Sequence, residues 1–359
     1  MSLFICPLCQ SPLQPADDTW RCDGSLNPKQ TAHPFDVARQ GYINLLPVQQ
    51  KKSKAPGDSQ QSIEARKRFL NAGYYQPLND LICQKMTALL MAKKASLKQK
   101  NKPINWLDIG CGEGYYTQAM AQTGMDMLIA ADISKPAVVE LARTSKALGR
   151  LWYQEVKDDS ASEVIKAAAI YPLVTSAAHL PLRAHSIDGI SSIFSPILPE
   201  AFNEVLSDEG YLIIAKPDVG HLATMREALF DDVREHDSDK FLDELAPYFQ
   251  LLETHHVSSK LSLAAEALAD LMTMTPYAYR ARSEKRQRLL AEVAVQPFAT
   301  EAKFVVYILQ KKPTHKWAAM ARPTYKIGPM VATTLFQIRY GNGQLLTSSS
   351  VTSSESAIY

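Results

Sequence analysis

The sequence lacks the features of a membrane or secreted protein. No apolar run approaches the roughly 18 residues that a membrane-spanning helix requires. The stretch MSLFICPLCQ has neither the charged start, the apolar segment nor the small-residue cleavage site of a signal peptide. Only five cysteines occur in 359 residues, which argues against the disulfide framework of secreted domains. We therefore expect a cytoplasmic protein that makes no membrane contact.

Net charge is also small, but it is unevenly distributed. The formal net charge is +2, whereas residues 36–102 contain 13 Lys and Arg against 4 Asp and Glu. A basic segment of this kind is typical of proteins that bind a polyanion such as a nucleic acid, although a solvated basic surface gives the same pattern. With 46% hydrophobic residues, the chain is long enough for one large domain and a smaller one.

Three of the five cysteines lie within the first 22 residues, spaced as in a zinc site. Cys6 and Cys9 have the two-residue gap that lets two thiolates of one tight turn bind the same Zn²⁺. Cys22 follows after twelve residues, and His33 follows after ten more, a longer gap than such sites normally have. We predict a closed, structural site in a small module of residues 1–36, with metal-free cysteines as the alternative.

The remainder of the chain predicts an α/β fold. Residues 37–102 predict a basic helical connection, with helices at 63–70 and 78–97; Asp58 or Ser59 caps the first, and Pro77 begins the second. From residue 104 to 311, helical patterns alternate with apolar runs, which indicates a mainly parallel sheet. The predicted strands are NWLDIG, MLIAADI, LVTSA, DGISSIF, GYLIIAK, LETHHVS and FVVYILQ. We expect residues 312–359, which end in a Ser/Thr-rich stretch, to form a disordered or loosely packed tail.

A glycine-rich loop, LDIGCGEGYYTQAM, joins the first of these strands to a helix. Its glycines, Gly110, Gly112 and Gly114, follow G-x-G-x-G, whereas dinucleotide-binding loops follow G-x-G-x-x-G. Asp108 places a carboxylate that suits a sulfonium or amino group, and Asp132 ends the next strand, where an acid can accept two ribose hydroxyls. Together these residues predict a site for S-adenosylmethionine; the alternative is a tight turn with two solvated acids.

The loop resembles the first motif of the class I, Rossmann-like methyltransferases, which use S-adenosylmethionine. That resemblance implies that AAHLPL, residues 177–182, lies along the adenine, with His179 and Leu180 as cofactor contacts. Ser176 stands where these enzymes usually have an acid. Adenine recognition would therefore depend on a hydroxyl or on backbone groups.

Longer stretches resemble one family, the bacterial large-subunit rRNA guanine-N1 methyltransferases of the RlmA type. They are CPLC, HPFDVARQGYINLLPVQ, PGDSQQSIEARKRFLNAGYYQPL, ADISK, HLPL and MTPYAYRA, and the resemblance covers about residues 4–311. It implies a zinc module that helps to recognise a hairpin loop of 23S rRNA, and a methyltransferase domain at 103–311. The implied zinc ligands are Cys6, Cys9, Cys22 and His33, and the implied cofactor contacts are Tyr75, Gly112, Glu113 and His221.

Some features depart from the family or stay open. About twenty residues around GRLWYQEVKDDSASEVIK look like an insertion, and the tail has no recognised counterpart. Considered without the family, Tyr75 would be read as a core tyrosine and His221 as a surface histidine. A homodimer is left open.

The acceptor pocket is expected at Ser195 and Pro196, at the end of the strand DGISSIF, where this fold places its acceptor motif. The N-P-P-[YF] motif used on exocyclic amines is absent, and neither Cys83 nor Cys111 lies where a nucleophile for C5 methylation would be expected. A ring nitrogen is therefore the predicted target. The catalytic base is not assigned; the candidates are His179, His221 and Asp188, of which Asp188 fits a structural role better.

Two other functions remain as alternatives. A small-molecule methyltransferase of the ubiquinone or biotin-precursor kind shares the glycine loop, but it needs neither a zinc module nor a basic segment. A zinc-bearing RNA-binding protein could retain the cofactor fold without turnover. Binding of S-adenosylmethionine without transfer of a methyl group to deproteinised rRNA would favour this second alternative.

Overall fold

The computed structural model describes residues 2–51, 53, 56–97, 102–154, 167–231, 240–293 and 296–313. These residues form a four-stranded sheet and an eight-stranded sheet with surrounding helices. Most of the predicted insertion and the tail from residue 314 lie outside the described residues, so the expectations for them stay predictions. None of the helices in the described ranges combines the length and apolarity needed to span a lipid bilayer.

The four-stranded sheet is antiparallel and contains the N-terminal cysteines. Its strands pair in chain order, and they are β1 (Phe4–Ile5), β2 (Pro12–Gln14), β3 (Thr19–Cys22) and β4 (Pro34–Asp36). Phe4, Leu13 and Trp20 are buried. With so few residues per strand, the sheet depends on neighbouring elements to cover these side chains.

The next segment enters the large sheet before it becomes helical. The short strand β5 (Ile43–Asn44) pairs in parallel with a later strand, β8 (Ala169–Val174). Two helices follow, α1 (Gln60–Asn71) and α2 (Gln76–Leu97), which confirms both predicted helices. Ser59 caps α1, because its hydroxyl accepts the backbone N–H of Ser62 at 3.2 Å, and Pro77 is the second residue of α2.

The large sheet has the order β11-β12-β10-β9-β6-β7-β8-β5. The strands are parallel from β5 to β10, and β12 runs antiparallel to both neighbours. Besides β5 and β8 they are β6 (Asn105–Ile109), β7 (Met127–Asp132), β9 (Ile187–Ile193), β10 (Leu206–Pro217), β11 (Phe249–Leu263) and β12 (Phe298–Lys311). β6 and β9 are buried over almost their whole length, as expected for strands covered by helices on both faces.

Helices connect these strands and cover the sheet. They are α3 (Tyr115–Met120), α4 (Lys135–Ala147), α5 (Pro199–Val205), α6 (Ala223–Leu229), α7 (Lys240–Leu245), α8 (Ala265–Met274), α9 (Tyr277–Arg280) and α10 (Ser283–Val293). The predicted α/β class is confirmed, and each predicted strand run has a counterpart. The bounds of LVTSA are wrong: β8 begins at Ala169, ends at Val174 and contains Pro172 in its interior.

The small sheet shares an apolar core with the large sheet. Phe4, Leu13 and Trp20 belong to the same buried cluster as Leu107 of β6 and Ile190 of β9. The ring of Phe4 lies 4.6 Å from that of Trp20 and 5.5 Å from that of Tyr171 on β8. The N-terminal module therefore buries its apolar side chains against the large sheet.

Candidate active site and metal centre

The four predicted zinc ligands converge on one point. Cys6 and Cys9 lie in the turn between β1 and β2, Cys22 ends β3, and His33 immediately precedes β4. The three Sγ atoms and a ring nitrogen of His33 all lie within 4.8 Å of one another. Cys9 Sγ lies 3.8 Å from Cys22 Sγ, and His33 Nδ1 lies 3.6 Å from the Sγ atoms of both Cys6 and Cys22.

These separations fit a tetrahedral zinc ion. Zn–S bonds of about 2.3 Å and Zn–N bonds of about 2.05 Å give tetrahedral edges of about 3.8 Å between sulfurs and about 3.6 Å between sulfur and nitrogen. Three thiolates and one imidazole complete the coordination, which leaves no position for water. The donor set therefore fits a structural zinc ion.

The long loop before His33 folds back on itself, which places the imidazole next to Cys22. Gly24 has a φ of +71°, and a Cβ at this position would lie 2.9 Å from the carbonyl group of Thr31. The side-chain amide of Asn27 donates to the Thr31 carbonyl at 2.7 Å. The His33 N–H also lies 3.0 Å from Cys22 Sγ. The ten-residue gap is thus accommodated by a closed loop.

The glycine loop connects β6 to α3 at the carboxyl end of the parallel strands. The Asp132 carboxylate, at the end of β7, accepts the N–H of Gly112 at 3.0 Å and that of Ser134 at 2.7 Å. Burial raises the pKa of this carboxyl. The glycine loop and Asp132 therefore meet at the carboxyl end of the parallel strands, which is where open α/β sheets bind ligands.

Asp108 lies beneath this loop rather than open to a ligand. It is buried, and its two carboxylate oxygens accept the hydroxyls of Thr117 at 2.6 Å and Ser191 at 2.9 Å. Burial raises the pKa of this carboxyl to about 6. Asp108 thus connects the end of β6 to α3 and β9, and it fixes the shape of the loop.

Glu113 is the residue of the loop with an unused acceptor. Its Oε2 atom is buried and has no hydrogen-bond partner, while Arg66 Nη1 lies 3.9 Å away. Arg66 Nη2 in turn contacts Asp58 Oδ2 at 2.6 Å. Burial raises the pKa of Glu113 to about 7. A buried carboxylate oxygen that accepts no hydrogen bond is suited to a ligand that carries donor groups.

Sequence reasoning missed Arg66 and the close approach of residues 57–58. A Cβ on Gly57 would lie 2.6 Å from that of Ser134, whose hydroxyl donates to the Asp58 carbonyl at 2.9 Å. The segment before α1 therefore contacts the loop that follows Asp132. The signal for these residues is PGDSQQSIEARKRF, which is part of one of the stretches that carry the family resemblance.

Tyr75 and His221 lie together on the other side of the site. Tyr75 is buried, and its ring packs at 4.7 Å from Phe304 and at 6.4 Å from His221. His221 is also buried, so the surface interpretation of this residue is wrong. Its Nδ1 atom lies 2.7 Å from the Lys303 carbonyl oxygen and 3.1 Å from the Lys303 backbone nitrogen, so both polar neighbours of this atom belong to β12. Burial lowers the pKa of His221 to about 4.

The predicted adenine loop follows β8. His179 is exposed and Leu180 is half-buried, while the N–H of Thr175 donates to the Asp132 carbonyl at 3.0 Å. The loop is also attached to the zinc module, since the N–H of Ile5 donates to the Pro181 carbonyl at 3.0 Å. The N–H of Arg183 donates to the Leu3 carbonyl at 2.9 Å. The zinc module and the adenine loop thus share backbone hydrogen bonds.

The predicted acceptor position lies at the end of β9, against the glycine loop. The Ser195 hydroxyl donates to the Ile109 carbonyl at 2.9 Å, and a Cβ on Gly110 would lie 2.3 Å from that of Ser195. Asp188 lies at the opposite end of β9, where it accepts the N–H of Asn105 at 3.1 Å. This placement takes Asp188 out of the set of candidate bases.

Comparison with known proteins gives two family matches and several relatives. Residues 4–54 match the N-terminal zinc ribbon of RlmA, and residues 107–214 match a methyltransferase domain. A 23S rRNA (guanine(748)-N(1))-methyltransferase from Streptomyces fradiae is 28% identical over 80% of this chain and 90% of its own.

Two further relatives carry the provisional name 23S rRNA (guanine-N(1)-)-methyltransferase. YxjB of Bacillus subtilis (strain 168) is 27% identical over 81% of this chain and 92% of its own. A protein of Micromonospora griseorubida is 26% identical over 80% and 90%. These matches confirm the resemblance: the protein is a methyltransferase with an RlmA-type zinc ribbon, and its cofactors are S-adenosylmethionine and a structural zinc ion.

Proposed function

We propose that this enzyme transfers the methyl group of S-adenosylmethionine to N1 of a guanine in a hairpin loop of 23S rRNA, in the cytoplasm. The observation that carries the proposal is an RlmA-type zinc ribbon built onto the same sheet as a methyltransferase site. The names of the relatives supply the substrate and the atom. A small-molecule methyltransferase has no use for such a module.

The cofactor supplies an electrophilic methyl group when it is bound. Asp132 is positioned to accept the ribose hydroxyls, and Glu113 Oε2 to accept a donor group of the cofactor, with Arg66 beside it. Asp108 acts through the loop, because it is buried and both its oxygens accept side-chain hydroxyls, whereas Asp132 is only half-buried. Of the predicted cofactor residues, Asp108 is proposed to position the loop, and the proposed contacts are Tyr75, Gly110, Gly112, Glu113, Gly114, Asp132, His179, Leu180 and His221.

The zinc site, formed by Cys6, Cys9, Cys22 and His33, is proposed as a scaffold. Its four donors leave no open coordination position, so it cannot activate water or substrate. Its closeness to the adenine loop gives it a second use, which is to hold that loop in place.

Methyl transfer is an in-line displacement, so the main task of the chain is to align guanine N1 with the methyl group. N1 must also lose its proton. The pKa of His221, which burial lowers to about 4, makes it a weak base, and Asp188 lies at the far end of β9. We infer that placement of the guanine contributes more to the rate than a strong base does.

A basic groove supports an RNA partner. It has a volume of about 490 Å³ and is lined by Arg39, from the turn that precedes β5, and by Arg143 and Lys146 of α4. A cation of the segment that matches the zinc ribbon and two cations of the segment that matches the methyltransferase domain thus line one groove. Such a groove suits the phosphate backbone of an RNA.

Primer extension on methylated rRNA tests the proposal. Deproteinised bacterial 23S rRNA is incubated with the protein and S-adenosylmethionine, and a reverse-transcription stop is expected at one loop guanine, because N1 methylation removes a Watson–Crick donor. Asp132→Ala should lower the stop at least about tenfold, since it removes a ligand of the ribose. Methyl incorporation without a stop would contradict N1 as the target. Cofactor binding without incorporation would favour the RNA-binding protein that lacks turnover.

A further inference from the structure

Phe194 is an exposed aromatic residue at the end of β9. Its side chain is 43% exposed, whereas the neighbouring Ile193 is 7% exposed and Phe304 is 1% exposed. Of the large aliphatic and phenylalanine residues that are exposed in the described ranges, Phe194 is the one with an aromatic ring. A phenylalanine in this position loses the free energy that burial of its ring would provide.

The backbone of Phe194 is also unfavourable. Its φ is +54°, in the left-handed region that bulky residues other than glycine rarely adopt. Neighbouring contacts impose this conformation: the N–H of Phe194 donates to the Ala215 carbonyl on β10 at 3.0 Å, and Ser195 is hydrogen bonded to Ile109. Strained backbone that the fold holds in place is typical of functional sites.

The position of the ring joins it to the cofactor site. Phe194 lies 5.5 Å from the ring of Phe304, which lies 4.9 Å from that of His221. On its other side, the ring of Tyr116 lies at 6.3 Å, and the buried hydroxyl of Tyr116 has no hydrogen-bond partner. The exposed ring therefore borders a region with an unused polar atom, at the same edge of the sheet as Asp132.

We propose that Phe194 is the stacking surface for the target guanine, an inference that rests on the proposed function. A base that has left its hairpin is commonly held on an aromatic face, which replaces the stacking it has lost. The acceptor N1 lies in the plane of the base. A ring under the base fixes that plane while it leaves the N1 edge free to face the methyl group.

Substitutions of Phe194 distinguish the effect of the ring from the effect of the backbone conformation. Phe194→Asn removes the ring but adopts a positive φ readily, so we expect an unchanged or higher Tm. Its kcat/KM for a hairpin that carries the mapped guanine should fall about ten- to hundredfold, the range expected for one base–aromatic stack. Phe194→Tyr should keep most of the activity. Leu251→Asn is the matched control, since Leu251 on β11 is 42% exposed and lies at the other edge of the sheet.

A comparison of two RNA affinities tests whether the ring of Phe194 acts on the target base. Wild-type protein should bind the guanine hairpin several-fold more tightly than the same hairpin with an abasic target position, and Phe194→Asn should bind both equally. The affinity for S-adenosylmethionine should stay within about twofold in all variants.

Three outcomes overturn the stacking proposal. Unchanged kcat/KM in Phe194→Asn would do so with the proposed function intact. Equal loss of binding to both hairpins would show that the ring acts elsewhere on the RNA or through the fold. A wild type that transfers no methyl group overturns the proposed function, and the stacking proposal with it.

Discussion

The acids of the candidate site carry out different tasks although the sequence presents them alike. Asp108 lies near the end of β6 and Asp132 is the last residue of β7, but Asp108 uses both oxygens on Thr117 and Ser191. Asp132 holds backbone N–H groups at the surface of the loop. Glu113 is the one of these three acids with a buried oxygen that accepts no hydrogen bond. Burial raises the pKa of Glu113 to about 7, above the value of about 6 for Asp108, whose oxygens both have hydroxyl partners.

Glu113 should therefore make stability depend on pH. Its pKa rises from 4.5 in the unfolded chain to about 7 in the folded protein. The folded state thus binds the extra proton between these values, and stability falls as pH rises from about 4.5 to 7. Glu113→Gln should reduce the loss of unfolding free energy between pH 5 and pH 8 by about 2 kcal/mol, measured by urea unfolding without added cofactor.

A surface glutamate provides the comparison for that measurement. Glu227 is exposed on α6, and Glu227→Gln should leave the pH dependence of wild type unchanged. Asp108 contributes in the same direction in all three proteins, because its pKa is also raised, to about 6. If Glu113→Gln and wild type lose the same stability over this pH range, the carboxyl is not protonated in the folded protein.

At the scale of elements, the basic segment has a different use from the one its charge count suggests. Several of its cations pair with acids of the methyltransferase part: Lys67 with Glu140, Arg68 with Asp270 and Lys85 with Glu253. Lys93 and Lys102 both face Asp188. These ion pairs attach α1 and α2 to the sheet and its helices. Charge counted along the chain therefore overstates the positive surface left for RNA.

The strands and the zinc ligands could be predicted because their signals are local. Apolar runs, the glycine spacing and Cys6-x-x-Cys9 each lie within a few residues. The bounds of β8 could not be predicted, because β8 contains Pro172 and proline is normally excluded from the interior of a strand. Phe194 and Arg66 could not be predicted either. The proposed role of Phe194 depends on a positive φ that neighbouring strands impose. The role of Arg66 depends on its contact with Glu113, 47 positions away in the chain.

The link between β1 and the adenine loop predicts that zinc affects cofactor binding. Cys6 directly follows Ile5, whose N–H donates to Pro181, so removal of zinc should loosen this pairing and the loop with it. Cys9→Ser should lose the zinc, which is about one ion per chain in wild type. The variant should also bind S-adenosylmethionine several-fold more weakly. Elemental analysis and calorimetric titration measure the two effects.

Cys83→Ser is the control for that experiment. Cys83 lies on α2, away from the metal ligands, so this variant should keep both the zinc and the affinity for the cofactor. A zinc-free Cys9→Ser that binds the cofactor as tightly as wild type would show that β1 does not hold the adenine loop.

At the scale of the molecule, the two sheets are parts of one packed structure. Phe4, Trp20 and Cys22 of the small sheet lie in the same apolar cluster as Leu107 and Ile109 of β6. Trp20 also packs at 5.7 Å from the ring of Trp152, which stacks at 5.3 Å on Tyr171 of β8. A module with its own separate core would leave these rings exposed.

This shared core predicts one cooperative unfolding transition for both sheets. Two variants that each keep one of the four tryptophans report on them separately, Trp20 for the small sheet and Trp106 for β6. In each variant the fluorescence midpoint should coincide with the midpoint of the far-UV circular dichroism melt, and zinc chelation should lower the midpoint of each by about 10 °C. A Trp20 transition that comes first, or that alone responds to the chelator, would show an independently folding zinc module, because zinc would then stabilise only the sheet that binds it.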